Sequence, residues 1–379
     1  MLSADTVERV RSLGGGTGPV VSLYLGLGAD LDELRGVSAR IKELTAPARR
    51  LVEDMERADA RALAADLDTL ESMGGELGRG NGMAVFLSGA QSIDERMALP
   101  LRVRDRLIVD DHPYTRPLET TLDHLHHYCA VVIDRRKASI FRFYGGDLES
   151  WEEMAEEEIR KSNYGGFSGY EEHRNRNRAD EVAGRFYKDV ATRLHQLLKE
   201  EDFDLLLLGG PQQHVDGLHA VVHPDLDNRL AGTFTIDPAT MTPAVVGQFC
   251  QELSAAHDQG HEEALVERLF DTARSGGLAV VGLHRVLEAA NQRAVDTVII
   301  QAGQTQPGRQ CSTCSWLVDT EAGLCPACGE AMRDVPDILD ALSDAVRGSG
   351  GTVRNVLAAT PLADDEVGAM LRYAVRVTV

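Results

Sequence analysis

The chain has 379 residues, enough for two or three domains each with its own core, and 43% are hydrophobic against 26% charged. Its 39 Lys and Arg face 60 Asp and Glu, a formal charge of −21. The surface as a whole therefore repels nucleic acid and anionic membranes, and nucleic-acid contact must come from a local basic patch. No apolar run approaches the ~18 residues that span a bilayer, and the opening MLSADTVERVRSLGGG lacks the basic and apolar blocks of a secretory signal. A cytoplasmic protein without membrane contact is expected.

Residues 18–27, GPVVSLYLGL, read as a strand. The glycines of SLGGGTG precede that strand, where a phosphate loop would follow it, so they mark an entry turn. Residues 31–70 are charged with helical spacing of Leu34, Val37, Ile41 and Leu44, then Leu51, Met55, Leu63, Leu67 and Leu70. A Gly-rich turn leads into a strand at 83–87. The prolines of DDHPYTRPLE mark a linker that closes an N-terminal α/β domain, residues 1–122. In residues 123–128, DHLHHY, a strand would put His124 and His126 on one side and His127 on the other. With no partner cluster in view they read as an interdomain surface patch, not a metal site.

The second domain, 123–242, opens with a hairpin of residues 129–133 and 138–144, closed by Gly145 and Gly146. The acidic ESWEEMAEEE reads as a solvated face. The loop 161–179 then carries KSNYGGFSGYEEHRNRNR. A helix from Asp180 places Val182, Phe186, Val190, Leu194 and Leu197 on one apolar face. The run DLLLLGG reads as a buried parallel strand, followed by a helix and the strand AGTFTID. The third domain, 243–379, begins with a long helix and continues as helix and strand in GLHRVLEAANQRAVDTVIIQAG. A cysteine cluster, another helix and a final strand complete it.

Cys129 and Cys250 stand alone among apolar residues and are expected as buried filler. Cys311, Cys314, Cys325 and Cys328 form C-x2-C-x10-C-x2-C, whose two-residue gaps let each pair of thiolates face one centre. Four thiolates in tetrahedral array suit Zn²⁺, here in a minidomain at 303–335. A redox CxxC would need only one pair. Four protein ligands leave no open position for water, so the ion's role is structural.

With these pieces in order, the chain resembles the archaeal and eukaryotic type of peptide-chain release factor in its bacterial branch, which includes the Balon-like hibernation factors. The hairpin YCAVVIDRRKASIFRF looks like the start of that family's middle domain. NGMAVFLSG is similar to its N-terminal domain, and GLHRVLEAANQRAVDTVII to its C-terminal domain, where archaeal members also carry an inserted four-cysteine minidomain. The resemblance implies three mixed α/β domains with a small zinc-ribbon insertion in the last. It also implies a middle-domain loop bearing Gly-Gly-Gln, whose amide orients the water that attacks peptidyl-tRNA. Here Gly165 and Gly166 are followed by Phe167. Relatives that place the glutamine two residues later would have it at Gly169, and no Gln occurs between Gln91 and Gln196. The codon-reading Asn-Ile-Lys-Ser turn should fall near residues 45–50, where the chain reads TAPARR.

What remains of the loop is adhesive in character. In an extended segment Arg174, Arg176 and Arg178 lie on one side, about 6.5–7 Å apart, close to successive phosphates. Tyr164, Phe167 and Tyr170 can stack on unpaired bases. A solvated loop with incidental charges is the plainer alternative. The resemblance implies a monomer that occupies the ribosomal A site without efficient hydrolysis, in hibernation or stress protection, with elongation factor Tu as the delivering GTPase. Two other readings stay open: a peptidyl-tRNA hydrolase using His173 as base, and an acidic stress protein that kept only the scaffold.

Overall fold

The computed structural model describes residues 2–14, 16–27, 36–73, 80–156 and 169–375. Two compact units divide the chain, one formed by Met1–His124 with His261–Val379, the other by Leu125–Gly260. Among the described residues no helix is long and apolar enough to cross a membrane.

The first unit opens with α1 (Ala4–Arg11), β1 (Val20–Gly26), α2 (Val37–Leu51) and α3 (Arg57–Ser72). Strands β2 (Gly82–Ser88), β3 (Ile93–Leu99) and β4 (Arg106–Asp110) follow, then α4 (Arg116–Asp123). The strands form an antiparallel sheet in the order β3-β2-β1-β4. Because side chains alternate along a strand, Val21, Leu23 and Leu25 face one way and pack with Ile41, Leu63, Leu67 and Leu70 of the helices. Of the apolar positions expected on those helices, Leu34 lies outside the described residues and Leu51 is exposed.

Ser22 and Tyr24 face the other way, and what covers them corrects the expected linker. The Tyr114 N–H donates to Ser22 Oγ (3.0 Å), and the Tyr24 hydroxyl donates to the Tyr114 carbonyl (2.6 Å). The Tyr114 hydroxyl reaches Asp337 Oδ2 at 2.8 Å, and Arg116, 2% exposed, sits 3.1 Å from the same carboxylate. Glu119 accepts from both Arg11 and Arg347. Pro117 stands in the first turn of α4, where its missing N–H breaks no helical bond. DDHPYTRPLE is thus a buried junction within one unit, not a solvated boundary.

His112 at the edge of this junction has Asp340 at 3.7 Å and Asp111 at 2.5 Å, with Asp110 close by and Arg333 paired to both neighbouring aspartates. The nearby Asp340 carboxylate, aided by Asp111, raises its pKa to about 9. A histidine raised in the folded state stabilises fully below its unfolded value of about 6.5 and loses that contribution as pH rises through 9. His112→Asn should therefore cost about 1 kcal/mol at pH 6, a figure reduced for the side chain's partial exposure, and almost nothing at pH 10. Urea midpoints at the two pH values check this; an equal cost at both contradicts it.

The second unit contains β5 (His127–Ile133), β6 (Lys137–Tyr144), β7 (Asp147–Ala155), α5 (Gly169–Glu201) and β8 (Leu205–Gly209). It continues with α6 (Gln212–His219), α7 (Pro224–Asp227), β9 (Leu230–Phe234) and the start of α8 (Pro243–Arg274). The sheet order is β7-β6-β5-β8-β9, with β8 parallel to both β5 and β9. The expected hairpin is β5–β6, and Asp134 turns it by accepting the N–H groups of Arg136 and Lys137 at 2.6 and 2.7 Å.

Strand β5 is buried on both faces. Cys129, Val131 and Ile133 meet Val190 and Leu194 of α5, while Tyr128, Ala130 and Val132 pack with Val246 and Cys250 of α8. All five apolar positions expected on the α5 face are buried. Both isolated cysteines are buried filler, and burial pushes each thiol up to about 12. The second face explains why this unit runs on to Gly260, past the expected boundary at 242: the first half of α8 covers it. Most of the acidic ESWEEMAEEE is β7, an exposed edge strand. Its charges lie at the surface, Glu152 among them paired with Arg193, and discourage further strand pairing.

The remainder of the first unit follows α8, whose Val266 and Leu269 belong to its core. It comprises β10 (Ala279–Val281), α9 (Leu283–Asn291), β11 (Val295–Gln301), β12 (Gly308–Cys311), β13 (Leu317–Val318) and β14 (Met332–Val335). Then come α10 (Ile338–Gly348), β15 (Thr352–Val356), α11 (Leu362–Asp365) and β16 (Val367–Leu371). The sheet is β10-β16-β11-β15, and β13-β12-β14 make a separate small ribbon. Leu269 lies against Gly368 so closely that a Cβ there would come within 2.4 Å of its Cδ2.

Candidate functional site: the loop ends and the four-cysteine ribbon

The loop singled out by the sequence leaves the sheet at β7 and returns through α5. Arg193 of α5 holds Glu152 of β7 through two bonds, 2.7 and 3.0 Å long, fastening the helix to the edge strand. Earlier in α5, the Tyr187 hydroxyl meets His214 Nδ1 at 2.7 Å, tying α5 to α6. Tyr164, Gly165, Gly166 and Phe167 lie outside the described residues. Helix α5 begins at Gly169, earlier than the expected Asp180, so Tyr170, His173, Arg174, Arg176 and Arg178 all stand on helical backbone. On a helix, positions 174 and 178 are one turn apart on one face, and position 176 is on the far side.

Residues 45–50, where the codon-reading turn was expected, lie inside α2. The Thr45 hydroxyl donates to Glu71 at 2.7 Å, and Arg49 pairs with Glu71 and Asp68, so this stretch fastens α2 to α3. The junction between those helices falls at residues 52–56, VEDME, an acidic sequence with no likeness to Asn-Ile-Lys-Ser. The DHLHHY histidines also depart from expectation, because β5 begins only at His127. His124 caps α4 and meets Glu262 at 2.7 Å, and His126 meets Asp258 at 3.0 Å.

The four cysteines converge. Their sulfurs all lie within 4.8 Å of one another, with Cys311–Cys328 and Cys314–Cys325 each at 3.5 Å. Two matching turns bring this about. After each C-x-x-C the next residue, Ser315 or Gly329, takes a positive φ (59° and 80°) and returns its N–H to the carbonyl of Cys311 or Cys325, at 3.0 and 2.9 Å. The N–H of each first cysteine is taken in turn by Trp316 or Glu330, at 2.9 and 2.8 Å. N–H groups inside the turns point at sulfur. Those of Cys314 and Thr313 lower the Cys311 thiol to about 6, and those of Cys328 and Ala327 lower Cys325 although burial opposes them. Four thiols in this array, with amides favouring thiolate, fit a tetrahedral soft-metal site in which sulfurs about 2.3 Å from the ion lie near 3.8 Å apart. The close pairs cross between the two motifs at distances well beyond the ~2.05 Å of a disulfide.

The ribbon is not self-contained. Leu317 and Val335 enter the core beneath α9 and α10, and Asn291 of α9 pairs with the Leu317 backbone in both directions, at 2.8 and 2.9 Å. Sequence reasoning missed two further groupings. His195, His223 and Asp225 bring ligand atoms within 4.8 Å, but His223 and Asp225 are exposed. Arg102, Arg104, Arg106 and Arg116 line one cavity. The alternation of the first three in LRVRDRL was the available signal.

A family model described as bacterial archaeo-eukaryotic release factor family 10 matches residues 113–258. Its C-terminal end falls two residues short of the second unit's own limit at Gly260. Peptide chain release factor subunit 1 of Thermococcus onnurineus is 22% identical over 414 residues, covering 98% of this chain and 97% of that protein. Its counterpart in Methanocaldococcus jannaschii is 26% identical, covering 70% and 68%. The match to the Methanococcoides burtonii protein, 24% identical, takes in 62% of this chain and only 61% of that protein's length. Among solved structures, the archaeal translation termination factor aRF1 aligns over 98% of this chain and 97% of its own at 15% identity and a TM-score of 0.25. Ribosome-bound archaeal Pelota aligns over 99% and 95% at 14% identity and a TM-score of 0.43. The chain is thus similar to peptide chain release factors of the archaeo-eukaryotic type. Within it, residues 113–258 match the model of the bacterial family 10.

Proposed function

We propose that this protein is a translation factor that binds the ribosome and fills the A site without efficient hydrolysis of peptidyl-tRNA, in hibernation or stress protection as in Balon-like factors. One observation carries the reading: Gly165-Gly166 is followed by Phe167, and no glutamine occurs from residue 92 to 195. A phenyl ring cannot hydrogen-bond the attacking water. The acidic junction at 52–56 is unsuited to reading a codon. Zn²⁺ in the ribbon, ribosomal RNA as the target of the loop, and delivery by elongation factor Tu complete the proposal, all in the cytoplasm.

Peptide release from a stalled ribosomal complex at saturating protein is the test. Release should be at least about 10²-fold slower than with a glutamine-bearing terminator, the range lost when a single oxyanion or water-orienting donor is removed. Release at a comparable rate, abolished by His173→Ala, would instead make the protein a hydrolase for stalled ribosomes. If the protein does not cosediment with ribosomes from cold or stationary-phase cells, neither reading stands.

A further inference from the structure

The run LRVRDRL places three arginines at alternate positions where the chain enters β4, and all three line a cavity of about 260 Å³ together with Arg116. Arg104 and Arg106 converge on one point, each donating to the Gly303 carbonyl, at 3.4 and 2.7 Å. Arg106 also donates to the Tyr114 hydroxyl at 2.9 Å. Arg116 is balanced by Asp337 at 3.1 Å, whereas among the described residues Arg104 and Arg106 bond only these neutral oxygens and have no carboxylate partner. Guanidinium groups brought this close in a partly enclosed space repel one another, and an anion between them relieves that repulsion.

The backbone opposite is adapted to this crowding. Gly303 has φ +81°, a backbone conformation that favours glycine, and a Cβ there would lie 2.8 Å from Arg104 Cδ and Nε and push the guanidinium aside. Leu101, Val103, Pro117 and Leu357 supply an apolar wall beside the charges. Planar guanidinium forks match the oxygens of a phosphate. The volume lies near the lower end of small-ligand pockets, about 300–1,000 Å³. A chain of charge −21 repels a long polyanion far more than a small dianion.

We propose that this cavity binds a small phosphorylated ligand of the nucleoside-phosphate class, the phosphate at Arg104 and Arg106 and the remainder against the apolar wall. The site is independent of the reading given under Proposed function and stands or falls without it.

Calorimetric titration of the full chain at low salt with GDP, inorganic pyrophosphate, guanosine and a single-stranded ten-nucleotide RNA tests this. GDP and pyrophosphate should bind one to one and guanosine should not. Arg104→Glu should weaken GDP binding by about tenfold or more, the worth of a charge-assisted bond, with the ligand-free thermal midpoint unchanged. Arg354→Glu, an exposed charge change on β15 outside the cavity, should bind GDP like the parent protein. Guanosine binding as well as GDP, RNA binding where nucleotides do not, indifference to Arg104→Glu, or no binding at millimolar ligand would each overturn the proposal.

Discussion

Replacing Cys311 and Cys314 together with serine is expected to strip about one metal ion from each chain and unravel the ribbon. Two short strand pairings, β12 with β13 and β12 with β14, hold it otherwise, and Leu317 and Val335 are its chief apolar anchors. Burying two such side chains stabilises by about 3–6 kcal/mol, whereas a structural zinc bound by an isolated finger contributes about 10–16 kcal/mol. An ion held by these four thiols would outweigh that burial, so its loss should be felt beyond the ribbon, through the Asn291 pairing and into the core of α9 and α10. Metal content per chain and the fluorescence of Trp316, whose carbonyl closes the first turn, report the two effects. Unchanged metal content would show that these thiols hold no ion.

Reversing Arg174, Arg176 and Arg178 to Glu changes the chain's charge by six and is expected to abolish most ribosome association at physiological salt. If each arginine meets one phosphate, the slope of log affinity against log salt should shrink by about 2–3. The helical backbone sharpens this expectation. Positions 174 and 178 share a face, so their double reversal should approach the triple one, while Arg176→Glu alone should act weakly or through another contact. Equal affinity for the triple variant and the parent would remove RNA binding from this segment.

The sequence was most legible where a single period governs a segment. The apolar face from Val182 to Leu197, the β5–β6 hairpin and the run in β8 all rest on local alternation or on 3.6-residue spacing, and the fold adds only the partner. The cysteine spacing was equally direct, since chelation geometry is local. Elsewhere a tertiary partner decided the outcome. Pro113, Tyr114 and Arg116 look like a loop because their chemistry suits a turn. Asp337, more than two hundred residues away, makes them core. Strand β7 was hidden because an edge strand with one exposed face tolerates acidic residues that argue for solvent. The halves of α8 pack in two different cores, so no single stripe announced where one unit ends. The alternate arginines show the same limit: one pattern occurs at 102–106 and at 174–178, and only the backbone distinguishes a cavity wall from a helix.

The buried junction around Tyr114 bears on how this protein could be dissected. An excised N-terminal fragment ending at residue 122 would keep Tyr114 and Arg116 but lose Asp337 and Arg347. It would expose a guanidinium that is 2% accessible in the intact chain and leave Glu119 with one of its two arginines. A protease that nicks solvated hinges should pass this stretch by, and shuffling at it would break a fold rather than exchange a module.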